Sequence, residues 1–130
     1  MKIKNFFLIV IILYAKSIFA LDYQGNDEDF MSLKISNSGF TRIFFPGEKT
    51  VDVFIYPEEQ ADLTLNSLEQ IVLVPRKITK EALFLSIVTD KNTIQDLSIL
   101  FVDKKPEAIR LLSKNFNNKK EKKNEDNNHK

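Results

Sequence analysis

The side chains that most often perform chemistry are scarce in this sequence of 130 residues. It contains one histidine, His129, near its C-terminus, together with three glycines and no cysteine. A histidine-based acid–base pair and a cysteine nucleophile are therefore excluded from the folded part, and a zinc site would need carboxylates alone, which suits zinc poorly. Three scattered glycines do not make a phosphate-binding loop. We predict that the chain is not an enzyme, has no catalytic residues and binds neither a cofactor nor a metal.

Carboxylates are the remaining candidates for catalysis. Glu58 and Glu59 could serve as the acid and base of a glycoside hydrolase if both lined one cleft. Adjacent residues on a strand point to opposite faces, which argues against this pair acting together. The acidic stretch DYQGNDED, residues 22–29, lacks the ligand spacing of an EF-hand calcium loop. We interpret the whole stretch LDYQGNDEDF, residues 21–30, as a flexible lead-in to the first strand.

The first 20 residues have the layout of a secretory signal peptide. Lys2 and Lys4 precede an apolar run over residues 6–15, and the small residue Ala20 stands where cleavage would occur. The run falls short of the roughly 20 apolar residues that a membrane-spanning helix needs. We predict a cleaved signal peptide over residues 1–20 and export to the periplasm; an uncleaved anchor in the inner membrane is the alternative.

Charge divides the remaining chain into two parts. Residues 21–112 hold 10 Lys and Arg against 15 Asp and Glu, whereas residues 113–130 hold 6 against 3. We predict that residues 21–112 form one folded domain, which is too acidic to bind nucleic acid. From Asn117 onward the sequence has no apolar residue, so it cannot bury surface, and we predict a disordered charged tail over residues 113–130.

Seven short segments between these ends alternate apolar and polar side chains or are apolar throughout, at spacings of about ten residues. They are residues 30–36, 40–45, 51–56, 63–65, 70–74, 82–88 and 95–102. The connections are too short for the crossover helices of a parallel α/β fold. We predict an all-β fold, either an antiparallel β-sandwich or a small barrel. Residues 105–116 are the one helical candidate, because Pro106 suits a first helical turn; one more strand over residues 108–112 is the alternative.

The stretch TRIFFPGEKTVDVFIY, Thr41–Tyr56, predicts a hairpin. Pro46 presets its own φ and Gly47 permits a positive φ, which together indicate a tight turn between two strands. We predict that Arg42, Pro46 and Gly47 are the structural residues of this hairpin.

Phenylalanines crowd the same stretch, and Phe44, Phe45 and Phe54 are predicted to be core or interface residues. The alternation of the second strand places Phe54 and Tyr56 on the face opposite its aliphatic side chains. Two interpretations of this two-sided pattern stay open: the strand is buried on both sides, or a partner protein covers one side.

Several of these segments, in their order, resemble the N-terminal domain of the TraK family. Members are secretin-like periplasmic components of F-type conjugative type IV secretion systems. The resemblance spans residues 32–111 and rests on Thr41, Arg42, Ile43 and Gly47, on LFLSIVTD at residues 83–90, and on DKKPEAI at residues 103–109. The family's glycine in the later hairpin is replaced here by Lys91 and Asn92. Asparagine tolerates a positive φ, so we expect the turn to be kept.

The resemblance implies a structural component of an envelope-spanning secretion channel, acting in the periplasm by protein–protein contacts. It implies an outer-membrane lipoprotein and an inner-membrane scaffold as partners, a location towards the outer membrane, and an oligomer in the assembly. Family members usually carry a second β-domain that contacts the lipoprotein, and no counterpart of it is recognised in this sequence. The alternative function is a free periplasmic binding module, such as a chaperone, an inhibitor or an adhesin-like domain.

Overall fold

A computed structural model describes residues 20–26, 29–77, 79–114, 121–125 and 127 of the chain. Nine strands make up most of these residues. They are β1 (Leu21–Gln24), β2 (Met31–Ser36), β3 (Thr41–Phe44), β4 (Thr50–Tyr56), β5 (Ala61–Leu65), β6 (Ile71–Pro75), β7 (Leu83–Thr89), β8 (Ile94–Val102) and β9 (Ile109–Leu112). A 3-10 turn over Glu58–Gln60 joins β4 to β5.

The strands form two sheets that face each other across one apolar core. The five-stranded sheet has the order β1-β9-β3-β6-β5, and the four-stranded sheet has the order β2-β8-β7-β4. Every second side chain of a strand points into the core, as in Leu83, Leu85 and Ile87 of β7, which are almost completely buried. The predicted all-β sandwich is confirmed, and the barrel alternative is wrong because the two sheets do not close on each other.

All seven predicted segments are strands, and the chain has two further strands at the ends of the domain. β1 lies within the stretch that was expected to be a flexible lead-in, and it pairs with β9 from Leu21 to Gln24. The helix predicted over residues 105–116 is wrong, because Ile109–Leu112 is strand β9, as in the alternative. Tertiary pairing decides here: β9 lies between β1 and β3 and completes the five-stranded sheet.

The sheets are mixed, whereas the sequence predicted antiparallel pairing. β1 pairs with β9, β2 with β8, and β3 with β9, all in parallel. Parallel neighbours need a long connection, and here intervening strands of both sheets supply it where an α/β fold would use a helix. β1 therefore lies beside β9 and β2 beside β8, so the two ends of the domain's sequence are joined by strand pairing.

The predicted hairpin of β3 and β4 is wrong, although its turn is present. The Glu48 amide donates to the Phe45 carbonyl at 3.1 Å, and Gly47 has a φ of 75°, as expected for a type II turn with Pro46 in its second position. The strands on either side belong to different sheets, β3 to the five-stranded one and β4 to the four-stranded one. Pro46 and Gly47 therefore carry the chain across the core, from one sheet to the other.

The carboxylate of Glu48, just after this turn, joins three separate parts of the chain. Its Oε1 accepts hydrogen bonds from the hydroxyls of Thr89 at 2.7 Å and Thr93 at 2.5 Å, and its Oε2 accepts one from Ser113 at 2.7 Å. Thr89 and Ser113 are buried. These charge-assisted bonds hold the β3–β4 connection against the β7–β8 turn and the end of β9.

Two hairpin turns place a residue other than glycine in the left-handed region. Asn92 has a φ of 60° in the β7–β8 turn, so the expectation that asparagine keeps this turn is confirmed. Glu69 has a φ of 56° in the β5–β6 turn. Asparagine adopts this conformation readily, whereas glutamate does so at a cost.

We expect Glu69→Gly to raise the free energy of unfolding by about 0.5–1 kcal/mol, because glycine removes the cost of the positive φ. Asn92→Gly is the matched control and should change it by less, since asparagine already tolerates the same conformation. Urea denaturation of the two variants beside the parent chain measures both values. A larger gain for Asn92→Gly than for Glu69→Gly would contradict this account.

Residues 121–125 are helical and exposed, where the sequence predicted disorder. The signal peptide predicted over residues 1–20 lies outside the described residues except for Ala20, as does His129. Within the described ranges, no helix has the length and apolar character needed to cross a membrane.

Candidate functional site

The outer faces of the two sheets carry different groups of exposed side chains. On the five-stranded sheet, charged side chains pair across and beside the strands. Arg110 of β9 lies 3.4 Å from Asp22 of β1, and Arg76 lies 3.3 Å from Asp62 of β5. Arg42 covers the ring of Phe44, with its guanidinium carbon 5.2 Å from the ring centre. Apolar side chains are also exposed on this side, among them Val74 of β6 at 39% and Phe40, just before β3, at 61%, and scattered apolar residues of this kind are normal on a protein surface.

The outer face of the four-stranded sheet carries a group of aromatic side chains among polar ones. Tyr56 of β4 lies directly opposite Phe84 of β7, and Phe54 lies opposite Ser86 in the next outward-facing row. Phe30, just before β2, reaches the same surface. We call these four outward side chains the aromatic face: Phe30, Phe54, Tyr56 and Phe84.

The four rings of the aromatic face lie around one point of the surface. Phe30 and Phe84 meet edge to face, with ring centres 5.8 Å apart and planes at 83°. A shallow depression of about 140 Å³ lies among the four rings and is also lined by Ser86 and Asp96. Phe54 is 75% exposed and Tyr56 is 71% exposed. Aromatic rings left in water in this arrangement are typical of a binding surface.

The strand pattern itself positions these rings. In β7, Leu83, Leu85 and Ile87 fill the core, so Phe84 must point outward. In β4, Val53 and Ile55 pack on the core, so Phe54 and Tyr56 point outward in the same way. The rings therefore stand on a paired, rigid sheet, which holds them in place before any partner arrives.

The predicted interface phenylalanines lie in three different places. Phe45 is buried in the core. Phe44 lies under Arg42 on the five-stranded sheet, and Phe54 lies on the opposite side of the molecule, on the aromatic face. Their closeness in the sequence comes from the β3–β4 connection, which crosses the core between them.

A second depression, of about 330 Å³, is lined by residues that include Phe40, Arg42 and Pro106, and it has one aromatic ring where the aromatic face has four. Glu58 and Glu59 are exposed and belong to a 3-10 turn, so the strand geometry assumed for them in the sequence is wrong. Among the described residues, no three His, Cys, Asp or Glu side chains converge as metal ligands would. A polar cleft of about 320 Å³ lies at one end of the sandwich, lined by residues that include Gly25, Thr93 and Gln95. The Gln95 side chain in this cleft has hydrogen-bond partners on both its oxygen and its nitrogen.

Comparison of the sequence with models of known protein families gives no match, and neither does comparison with curated protein sequences. The assignment of function therefore depends on the residues of this chain and on the surface they build.

Two of the four residues of the aromatic face were predicted from the sequence. Phe54 and Tyr56 were placed on the outer side of their strand, whereas Phe84 and Phe30 were not singled out. The signal for Phe84 was present, since strict alternation in LFLSIV leaves it opposite three aliphatic residues. Phe30 precedes its strand, and only the tertiary fold brings its ring to Phe84.

Proposed function

We propose that this protein is a noncatalytic, exported β-sandwich domain that works by holding other proteins, and that the aromatic face is its contact surface. The observation that carries the proposal is the contrast between the two sheets. The five-stranded sheet has two ion pairs and scattered exposed apolar side chains, whereas the four-stranded sheet gathers four exposed aromatic rings around one depression.

We further propose that its place is the envelope-spanning core of a conjugation-type secretion system. Three features support this assignment: the resemblance of residues 32–111 to the TraK N-terminal domain, the signal-like first 20 residues, and the exposed aromatic face. The partners would be an outer-membrane lipoprotein and an inner-membrane scaffold, contacted by apolar packing and strand pairing. The free periplasmic binding module remains the other candidate.

A crosslinked pull-down from the native envelope, with an affinity tag after Lys130, tests this proposal. Recovery of lipoprotein and scaffold subunits of a secretion channel is the expected result. A solitary protein in the periplasmic fraction would contradict the secretion assignment and leave the free binding module. Recovery from the cytoplasm alone would contradict export as well.

Phe54→Ser should lower partner recovery at least tenfold, because a central aromatic anchor typically contributes more than about 1.4 kcal/mol to binding. It should change the free energy of unfolding by only about 0.5 kcal/mol, since the ring is mostly in water. Leu68→Ser is the matched control: Leu68 is 65% exposed, but it lies in the β5–β6 turn, off the aromatic face. Equal losses from both variants would show that exposed apolar area in general, and not this face, binds the partner.

A further inference from the structure

We propose that β4 pairs antiparallel with β4 of a second copy, about a two-fold axis that passes beside Phe54. This inference rests on the proposed function and extends it, since it names a second copy of the chain as the partner at the β4 edge of the aromatic face. It starts from the position of β4, which is an edge strand of the four-stranded sheet and has β7 on one side only. An edge strand presents backbone donors and acceptors that another strand can pair with.

The direction of these backbone groups follows from one hydrogen bond. The Val53 amide donates to Oδ1 of Asp52 in its own strand at 2.9 Å, so it points away from β7. Backbone groups of alternate residues point to the same side of a strand, so those of Ile55 also face outward. Near the start of β4, the Thr50 amide donates to the Glu69 carbonyl, so this part of the edge is already covered. The open edge is therefore centred on Val53 and Ile55.

Symmetry and hydrogen bonding together leave three registers for two copies of this edge. An axis beside Ile55 would set Val53 against Pro57, which has no amide to donate. An axis beside Val53 would set each Asp52 carboxylate against the ring of Phe54 and would reach the irregular step between Thr50 and Asp52. An axis beside Phe54 pairs Val53 of each copy with Ile55 of the other, so the outward amide and carbonyl of both residues are hydrogen-bonded.

The Phe54-centred register is also complementary in its side chains. It sets Phe54 opposite Phe54 of the second copy, in the closely spaced kind of antiparallel pair that aromatic residues stabilise. It sets Asp52 opposite Tyr56 of the second copy, so the only charged side chain of β4 meets a ring with a hydroxyl and not another carboxylate. The other edge of the same sheet, β2, carries Lys34, a residue that discourages strand addition.

The pairing would join two four-stranded sheets into one sheet of eight and bring both aromatic faces to the same side. Phe54 of each copy would lie at the junction, with Tyr56 and Phe84 extending the surface outward. Val53 would exchange the Asp52 carboxylate for the Ile55 carbonyl of the second copy. In the single domain Asp52 occupies this donor and protects the edge.

Single-cysteine variants test the register directly, because the chain has no cysteine of its own. Closely spaced antiparallel partners have Cα atoms about 4.5 Å apart, within the range that a disulfide spans. Under mild oxidation the purified full-length Phe54→Cys chain should form a disulfide-linked dimer. Val51→Cys and Leu68→Cys, also at exposed positions, should remain monomeric on a non-reducing gel. A mixture of Asp52→Cys and Tyr56→Cys chains should crosslink more than either variant alone.

Sedimentation of the unmodified chain should show a monomer–dimer equilibrium that tightens at about 0.5 M salt, where repulsion between the two acidic domains is screened. Phe54→Lys sets two like charges opposite each other and should be monomeric at every concentration tested, with an unchanged circular dichroism spectrum. The proposal is overturned if Phe54→Cys crosslinks no better than Leu68→Cys, or if the Phe54→Lys chain still dimerises. Both experiments use the isolated protein, so their failure would leave the envelope pull-down, and the proposed function, to be judged separately.

Discussion

Replacing Ile43 by alanine should lower the free energy of unfolding by about 3–4 kcal/mol, the range for removing a large aliphatic side chain from a packed core. Ile43 is completely buried in the middle of the five-stranded sheet. It lies between Ile71 of β6 and Ile109 of β9, so the cavity would open among strands that hold one another in place. The chain has no cysteine, so no disulfide offsets this loss of stability. A domain of this size has a margin of only about 5–15 kcal/mol.

Urea denaturation followed by circular dichroism measures this change. Val74→Ala is the matched control, because Val74 lies on a neighbouring strand of the same sheet but is exposed. Its effect should stay below about 1 kcal/mol. If Ile43→Ala cost no more than Val74→Ala, the two sheets would not be packed around Ile43 as described.

Glu48→Ala should lower the free energy of unfolding by about 3 kcal/mol, because it removes the acceptor of three hydroxyl groups, two of them on buried residues. An unpaired buried donor costs about 1–3 kcal/mol. The effect should extend beyond the site, since the β7–β8 turn and the end of β9 lose their common anchor. Hydrogen exchange should therefore speed up in both segments together.

Glu48→Gln separates hydrogen bonding from the mere presence of a side chain. The amide oxygen can still accept from some of the hydroxyls, while the amide nitrogen cannot, so this variant should lose about 1–2 kcal/mol. Alanine and glutamine variants of equal stability would mean that the oxygen atoms of Glu48 do not hold the three segments together. Thermal unfolding monitored by circular dichroism ranks the two variants.

The strands of this domain were predictable where apolar and polar side chains alternate over six or more residues. β2, β7 and β8 each carry three inward apolar residues at alternate positions, and this pattern has no helical equivalent. β1 and β9 have four residues each, and the sequence of β9, IRLL, fits a helix as well as a strand. Only pairing with β1 and β3 settles its conformation, and that pairing joins residues far apart in the sequence.

The pairing of β3 and β4 was misjudged, although the sequence held the information. Proline in the second position of the turn fixes a negative φ, which leads to a type I or type II turn. Those turns splay the flanking strands, whereas tight hairpins use the mirror-image types. A Pro-Gly turn between two strands therefore fits a crossing between sheets better than a hairpin. The same misjudgement placed Phe44 and Phe54 together, although they lie on opposite sides of the sandwich.

The parallel pairing of the chain's early strands with its late ones also governs when the domain can fold. β2 can pair only after β8 has been made, and β1 only after β9. The four-stranded sheet is therefore incomplete until the chain reaches Val102, and the five-stranded sheet until it reaches Leu112. Contacts over such sequence separations slow folding, because the closure of a long loop precedes the stabilisation it brings. On the ribosome, the emerging segment would remain an incomplete set of strands with aromatic edges unpaired. Unpaired strand edges of this kind favour aggregation, so the order of pairing leaves the chain exposed to it until synthesis is nearly finished.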